Sequence, residues 1–495
     1  MSNLHSIHLN SWEAIYWGST SSLEPLTGWE FRTDLYETGN EPSILIIVTE
    51  TQSSRTLEIQ TAAESIITKY GSSVTTILIV PDNTLRFDFN SDLSNFYFED
   101  NVIEKYLYKR ISNHVPDAIL ISSTESFSLK SIVNVPVVTC TNQIQEICSH
   151  IEQALNLPRS SSRLDIIHKL KRTPQELAKD LMKVYGNDLT LVNYTQGVGV
   201  YACLHIAQQM EGPNNIAKEL DQMLSNSPLG EQKPFGVDPT GANLASAIWA
   251  YDLSSMLGND KWNQLLDEAA NTYQFNINDG PPIPCDPTVR TEDMFYSSAI
   301  LGRAFEKHDT VSYLDILDSF YELIHLQQEN GLFWHSQSSP YFWSRGNGFA
   351  ILGLSQYLTY VPQTRPMYSV ILNQFLTFFN QIKKFQDISG GFHQVMDLPN
   401  TYLEFTTTCI IGYAALRGKA LGILDDSVDP IIEGAWHFLR SRVDHEGNVT
   451  DACFNTGLQP DLESYYLRPA VSGYDDRSGS MALLFCAEIL RTNFI

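Results

Sequence analysis

Four stretches of this sequence gather side chains able to move a proton or grip a polar ligand. GVDPTGANLASAIWAY places Asp238 five residues before Asn243, where an apolar helical pattern begins. TEDMFYSSAILGRAF opens a second such pattern with Glu292 and Asp293. GLFWHSQSSPYFWSRGNGF crowds Trp334, His335, Tyr341, Phe342, Trp343 and Arg345 ahead of Gly346 and Gly348. GGFHQVMDLPNTYLEFTTT brings Tyr402 and Glu404 to the mouth of a further helix.

Each of these groups has a structural reading and a chemical one. Carboxylates at helix starts cap free N–H groups and meet a favourable dipole, which accounts for Asp238, Glu292 and Asp293 without any chemistry. Asp293 is also followed by Met294, Phe295 and Tyr296, and a carboxyl packed among such groups has the raised pKa that a general acid needs. His335 is either a packed polar residue or a ligand contact, and Glu404 is either a buried structural carboxylate or another such contact. Indole faces beside a guanidinium suit a sugar carboxylate: the ring stacks on C–H groups while arginine forms two hydrogen bonds. Glycines at 346 and 348 allow a ligand or a neighbouring helix to come close to the backbone.

Other chemistries lack their motifs. There is no GxSxG, HExxH, P-loop or GxGxxG, and no His, Cys and carboxylate cluster has metal-ligand spacing. No metal and no cofactor are therefore expected. Carboxylate acid–base chemistry with an aromatic and arginine grip remains, and it favours carbohydrate.

The elements that must position these residues are helices. From residue 172 onward there are helix-like segments at 197–211, 242–257, 260–274, 293–306, 310–328, 347–360, 365–384, 404–418, 428–442 and 478–492. TPQELAKDLMKVYG precedes them with a capped start. Hardly any strand is expected in this region. Stacked helical hairpins of this number predict a closed (α/α)6 barrel over 172–495, with an open superhelical array as the alternative; no fixed repeat favours the array. The first third differs. SILIIVTE (43–50), VTTILIVP (74–81), DAILISST (117–124) and VPVVTC (135–140) are short β-branched runs, with a helical pattern at 56–71. They predict an α/β domain over 1–160 with a mainly parallel sheet, joined through LNLPRSSSRL at 155–164.

Composition narrows the partners. With 57 acidic against 32 basic residues the formal net charge is −25, which argues against nucleic acid or an anionic membrane surface. No apolar run has the length of a membrane span, and the N-terminus lacks the pattern of a signal peptide. Seven scattered cysteines without CxxC spacing point to a reduced, cytoplasmic protein. Oligomeric state is not legible.

Taken together, the stretches resemble glycoside hydrolase family 105, the unsaturated rhamnogalacturonyl hydrolases, which are related to the unsaturated glucuronyl hydrolases. The resemblance spans about 175 to 495 and rests on D-x-x-x-x-N (Asp238, Asn243), EDMFYSSAILGRAF, LFWHSQ, WSRGNGFAILGL, GGFHQVMDLPNTYLEFTTT and DRSGSMALLFCAEIL. It implies an (α/α)6 barrel acting on oligosaccharides that a lyase has left with a 4,5-unsaturated uronic acid at the non-reducing end. Asp293 would protonate the enol-ether double bond and then help activate water, and Asp238 would position water or a hydroxyl. His335, Asn243, Tyr341 and Glu404 would contact the sugar, Arg345 would bind the uronate carboxylate, and Trp343 would wall the subsite. The sequence departs from the family at Phe349, where tryptophan is usual, in the uncharged SQSSPY loop, and at Thr406 to Thr408. The α/β region is absent from the usual members and is expected to be an accessory domain. Other (α/α)6 carbohydrate enzymes (a glucuronidase, lyase or epimerase) and a non-catalytic sugar-binding protein are the remaining alternatives.

Overall fold

The computed structural model describes residues 161–495 apart from 210–212 and 231–232, and, before them, residues 12–20, 22–32, 39, 41–48, 59–61, 63–64, 74–80, 102–122, 135–140, 149–150, 152–153 and 156–160. Two compact units emerge, Met1–Arg172 with Leu398–Tyr402, and Thr173–Asp397 with Leu403–Ile495.

The first unit holds a six-stranded sheet in the order β1-β2-β4-β3-β5-β6, built from β1 (Trp12–Ser19), β2 (Pro25–Arg32), β3 (Ser43–Val48), β4 (Val74–Ile79), β5 (Ala118–Ser122) and β6 (Val137–Cys140). Strands β4, β3, β5 and β6 pair in parallel, as their continuous apolar runs predict, and β3 is buried along its whole length. The antiparallel hairpin β1–β2 on the β4 edge has no counterpart in the sequence reading. WEAIYWGS and PLTGWEFR alternate buried and exposed side chains only in part, which weakens a period-two signal. Of the helix expected at 56–71, only residues 59–61 and 63–64 are described, and they are helical. The SSTES run lies outside the described residues beyond Ser122. Helix α1 (Val102–His114) follows, and α2 (Ser161–Lys171) completes the unit. The expected linker thus holds the start of a helix. Its Arg163 is fully buried, 3.5 Å from the Asp117 carboxylate, which ties α2 to this unit.

The second unit is a ring of helical hairpins. Its inner helices are α4 (Tyr194–Gln208), the broken pair α6 (Gly241–Leu244) and α7 (Ala250–Leu257), α9 (Thr291–His308), α11 (Ser344–Tyr360), α13 (Phe405–Ala420) and α16 (Asp476–Thr492). Each packs on the next, and α16 returns to pack on α4, so the ring closes. The outer helices are α3 (Pro174–Met182), α5 (Pro213–Ser225), α8 (Asn263–Thr272), α10 (Val311–Leu323), α12 (Tyr368–Ile382) and α14 (Asp429–Ser441). They lean on α16, α4, α9, α9, α11 and α13 respectively, or on the inner helix they precede. Inner helices are walled on nearly every side, and α4, α11 and α13 are buried along nearly their whole length. Helices α9 and α11 approach closely: a Cβ on Gly353 would stand 2.4 Å from the Met294 carbonyl carbon. Glycine is needed there.

Thr173 and Glu176 form the capping box read from the sequence at the start of α3. Helix α5 was not among the expected segments. Two short ladders, β7 (Phe392–His393) with β8 (Leu403–Glu404) and β9 (Val449–Cys453) with β10 (Ala470–Gly473), sit in the long loops with a short helix, α15 (Leu462–Tyr466). Among the described residues no helix is long and apolar enough to cross a membrane.

Candidate active site

The mouth of α9 carries the acid–base groups. Glu292 and Asp293 lie in its first turn, and both are buried. Asp293 Oδ2 accepts a 2.9 Å hydrogen bond from the Asp286 N–H, with the Arg290 guanidinium 3.7 Å away. A Cβ on Gly241 would stand 3.0 Å from its Oδ1, so only glycine leaves that oxygen room. Burial pushes the Asp293 carboxyl up to about 7, against the pull of the Asp286 N–H and the Arg290 charge and helped by the charge of Glu292. A carboxyl held there is half protonated near neutrality, as a general acid must be.

Glu292 is tuned the other way. Burial opposes its charge, but the His335 imidazole and its hydrogen bond outweigh that and hold the carboxyl down at about 2. His335 Nε2 donates towards Oε1 at 3.2 Å and Oε2 at 3.1 Å. Its Nδ1 lies 2.5 Å from the Tyr465 hydroxyl, which is also 2.7 Å from Ser339 Oγ. Two neighbouring carboxyl groups with pKa values driven apart are a pattern of acid–base sites.

The tryptophan that opens α11 packs on this relay. The Trp343 ring is 4.3 Å from His335, and the Arg345 guanidinium sits 4.8 Å above it. Arg345 is buried and Nη1 donates to the Cys453 carbonyl at 2.5 Å, while Arg345 Nε and Trp343 Nε1 are buried donors without a partner. A Cβ on Gly346 would come within 3.1 Å of Thr291 Oγ1 and 3.2 Å of Trp343, so this glycine admits the α9 mouth. Gly348 faces Ile410 of α13 and serves packing. Phe349 joins an aromatic cluster with Tyr194, Phe295 and Tyr296.

The remaining expected residues separate. Asn243 completes a capping box with Thr240, and its Nδ2 donates to the Val192 carbonyl at 2.7 Å. Tyr341 is half-buried, its ring 5.6 Å from that of Tyr465. Asp238 is exposed on the loop before α6. Glu404 departs from the sugar contact expected of it. It is fully buried, with Oε1 accepting from Thr406 N–H and Cys453 N–H at 3.2 and 2.8 Å and Oε2 accepting from Thr407 N–H at 2.6 Å. It caps α13 and anchors β9, which occupies both oxygens.

Sequence reading missed Tyr465, which reaches the relay from the short helix α15, 130 residues beyond His335. It treated Glu292 as a cap only, although its position next to Asp293 was the available signal.

Residues 325–493 match the model of Glycosyl Hydrolase Family 88. The chain is 23% identical over 192 residues to the unsaturated rhamnogalacturonyl hydrolase YesR of Bacillus subtilis strain 168, a match covering 38% of this chain and 52% of that protein. The chain thus spans about half the length of this curated relative. A structure of a possible member of the GH105 family from Salmonella enterica is similar over 69% of this chain and 97% of its own, with a TM-score of 0.56 and 20% identity. A family 105 glycoside hydrolase structure from C. acetobutylicum is similar over 64% and 99%, with a TM-score of 0.55 and 16% identity. These likenesses establish the barrel fold. The resemblance read from the motifs stands, and within the Family 88 match fall His335, Trp343, Arg345 and Glu404.

Proposed function

We propose that this chain is a glycoside hydrolase that removes a 4,5-unsaturated uronic acid from the non-reducing end of lyase-generated oligosaccharides, of the pectin or rhamnogalacturonan type. The observation that carries this reading is the protonatable Asp293, buried at a helix mouth beside the hydrogen-bonded Glu292 and His335. Neutral Asp293 delivers its proton to C4 of the enol ether, leaving positive charge shared by C5 and the ring oxygen. A water molecule adds at C5 and returns a proton to Asp293. The hemiketal so formed opens, and the partner sugar is released at C1. This route does not require two carboxylates flanking the anomeric carbon. Asp238 positions the water or a sugar hydroxyl from its exposed loop. The free Arg345 Nε and Trp343 Nε1 donors suit the uronate carboxylate, as buried polar groups without partners commonly mark ligand sites. Tyr341 and Asn243 supply further sugar contacts. The name of the Bacillus relative supports the same substrate class.

The test is the ultraviolet absorbance of the conjugated unsaturated uronate, followed on oligosaccharides from pectin, rhamnogalacturonan, glycosaminoglycan and ulvan lyase digests. Decay with any of them that Asp293→Asn abolishes is the expected result. No decay across the whole panel overturns the reading.

A further inference from the structure

Arg303, ten residues after Asp293 and hence about 15 Å further along α9, is only 1% exposed. Its guanidinium lies 4.9 Å from the Tyr201 ring of α4 and 4.8 Å from the Tyr360 ring of α11. Nη1 donates to the Ala299 carbonyl at 2.9 Å and to Gln356 Oε1 at 2.8 Å. Gln356 Nε2 in turn donates to the Tyr413 hydroxyl of α13 at 3.2 Å. One side chain thus joins α4, α9 and α11, and reaches α13 through Gln356.

The other edge of the guanidinium is bare. Nε and Nη2 are buried donors with no hydrogen-bond partner among the described residues, and Arg303 makes no ion pair among them. These two N–H groups share one edge of the plane, the fork that receives an anion side-on. The carboxylates whose charge reaches Arg303, Asp252 and Glu306, are half-buried and exposed respectively, and water screens both. Burial pushes the Tyr201 phenol up and the Tyr360 phenol up to about 12, so neither ring supplies negative charge. The end of α9 does not supply it either, because Arg303 stands more than a turn before His308.

A second guanidinium deepens the imbalance. Arg417 of α13 has Tyr201, Tyr360 and Tyr413 as neighbours, as Arg303 does, and its Nε is also a buried donor without a partner among the described residues. Its Nη2 donates to Glu488 Oε2 at 3.0 Å, but Glu488 also accepts from Arg491 Nε at 3.0 Å and Nη2 at 2.5 Å. That carboxylate is already shared between two cations. A buried charge left without a counter-charge is costly, and a mobile anion offsets it.

We propose that Arg303 Nε and Nη2 hold one small inorganic anion, chloride, inside the ring of helices. Burial of the guanidinium excludes larger anions such as sugar acids and phosphate esters. The bound ion neutralises Arg303 and so strengthens the junction of α4, α9 and α11. This site is independent of the hydrolase reading.

Thermal unfolding of the full chain in sodium chloride, compared with sodium methanesulfonate at equal ionic strength, tests the site. Chloride should raise the midpoint by about 2 °C for each tenfold increase above its Kd, over and above any general screening seen in methanesulfonate. Arg303→Met should abolish the difference between the two salts. That variant also loses packing, so wild-type crystals soaked in bromide give a second measurement: an anomalous scattering peak in contact with Nε and Nη2. Equal midpoints in the two salts, or an Arg303 edge that carries water and no bromide, overturns the proposal.

Discussion

Glu292 and His335, 43 residues apart in sequence, meet at 3.1 Å in a site where both are buried. The helix mouth and the loop before α11 are thereby locked together by one imidazole, which also touches Trp343 and Tyr465. Removing one member of such a pair leaves the other uncompensated.

Glu292→Gln should therefore destabilise the protein at pH 7 by roughly 3 kcal/mol. The folded-state pKa of Glu292 lies at about 2, below the ordinary 4.5, so its contribution is present above 4.5 and is lost as the pH falls towards 2. Urea denaturation at a series of pH values should show the gap between variant and wild type narrowing below 4.5. A gap that widens on acidification contradicts the pairing.

For Asp293 the sign is reversed. Its folded pKa of about 7 exceeds the ordinary 3.8, so the folded state holds the proton more tightly and stability declines as the pH rises from about 4 through 7. Asp293→Asn should abolish turnover and yet melt at a higher temperature than wild type at pH 8, with the gain vanishing near pH 4. Wild-type kcat should fall with rising pH along a limb centred near 7, as the acid loses its proton. Activity still rising above pH 8 would exclude Asp293 as the acid.

Glu404→Gln tests a capping role against a ligand role. An amide cannot accept from all three backbone N–H groups, and each unsatisfied buried donor costs about 1–3 kcal/mol. Thermal unfolding should shift down markedly while KM stays within about twofold of wild type, a change of only ~0.4 kcal/mol in binding. A large KM change with unaltered stability would restore the sugar contact.

Arg345→Lys keeps the charge and loses the fork. If the free Nε serves the uronate carboxylate, KM should rise at least tenfold, the cost of one charge-assisted hydrogen bond of roughly 1.5–3 kcal/mol. Stability alone changing, with KM unmoved, would leave Arg345 as the partner of the Cys453 carbonyl only.

The barrel was legible because inner helices buried on all sides read as long apolar runs with small residues, as FAILGLSQYL and TTTCIIGYAALRG do. The parallel strands were legible for the same reason. Edge hairpin β1–β2 was not, since its side chains fail to alternate cleanly. At the site, Asp293 announced itself by its apolar neighbours. The opposite tuning of Glu292 depends on an imidazole brought in by a distant loop, and Tyr465 arrives from farther still. Glu404 was ambiguous because a cap and a ligand contact ask for the same carboxylate at the same helix mouth; only its three N–H partners decide.

Closure of the ring through α16 on α4 carries a consequence for how the domain is made. During synthesis α4 emerges with one flank bare and stays so until residues 476–492 are released from the ribosome. Asn193 at the start of α4 and Arg477 at the start of α16 line one cavity across that same junction. A nascent chain stopped before α16 would thus present an open apolar seam to chaperones.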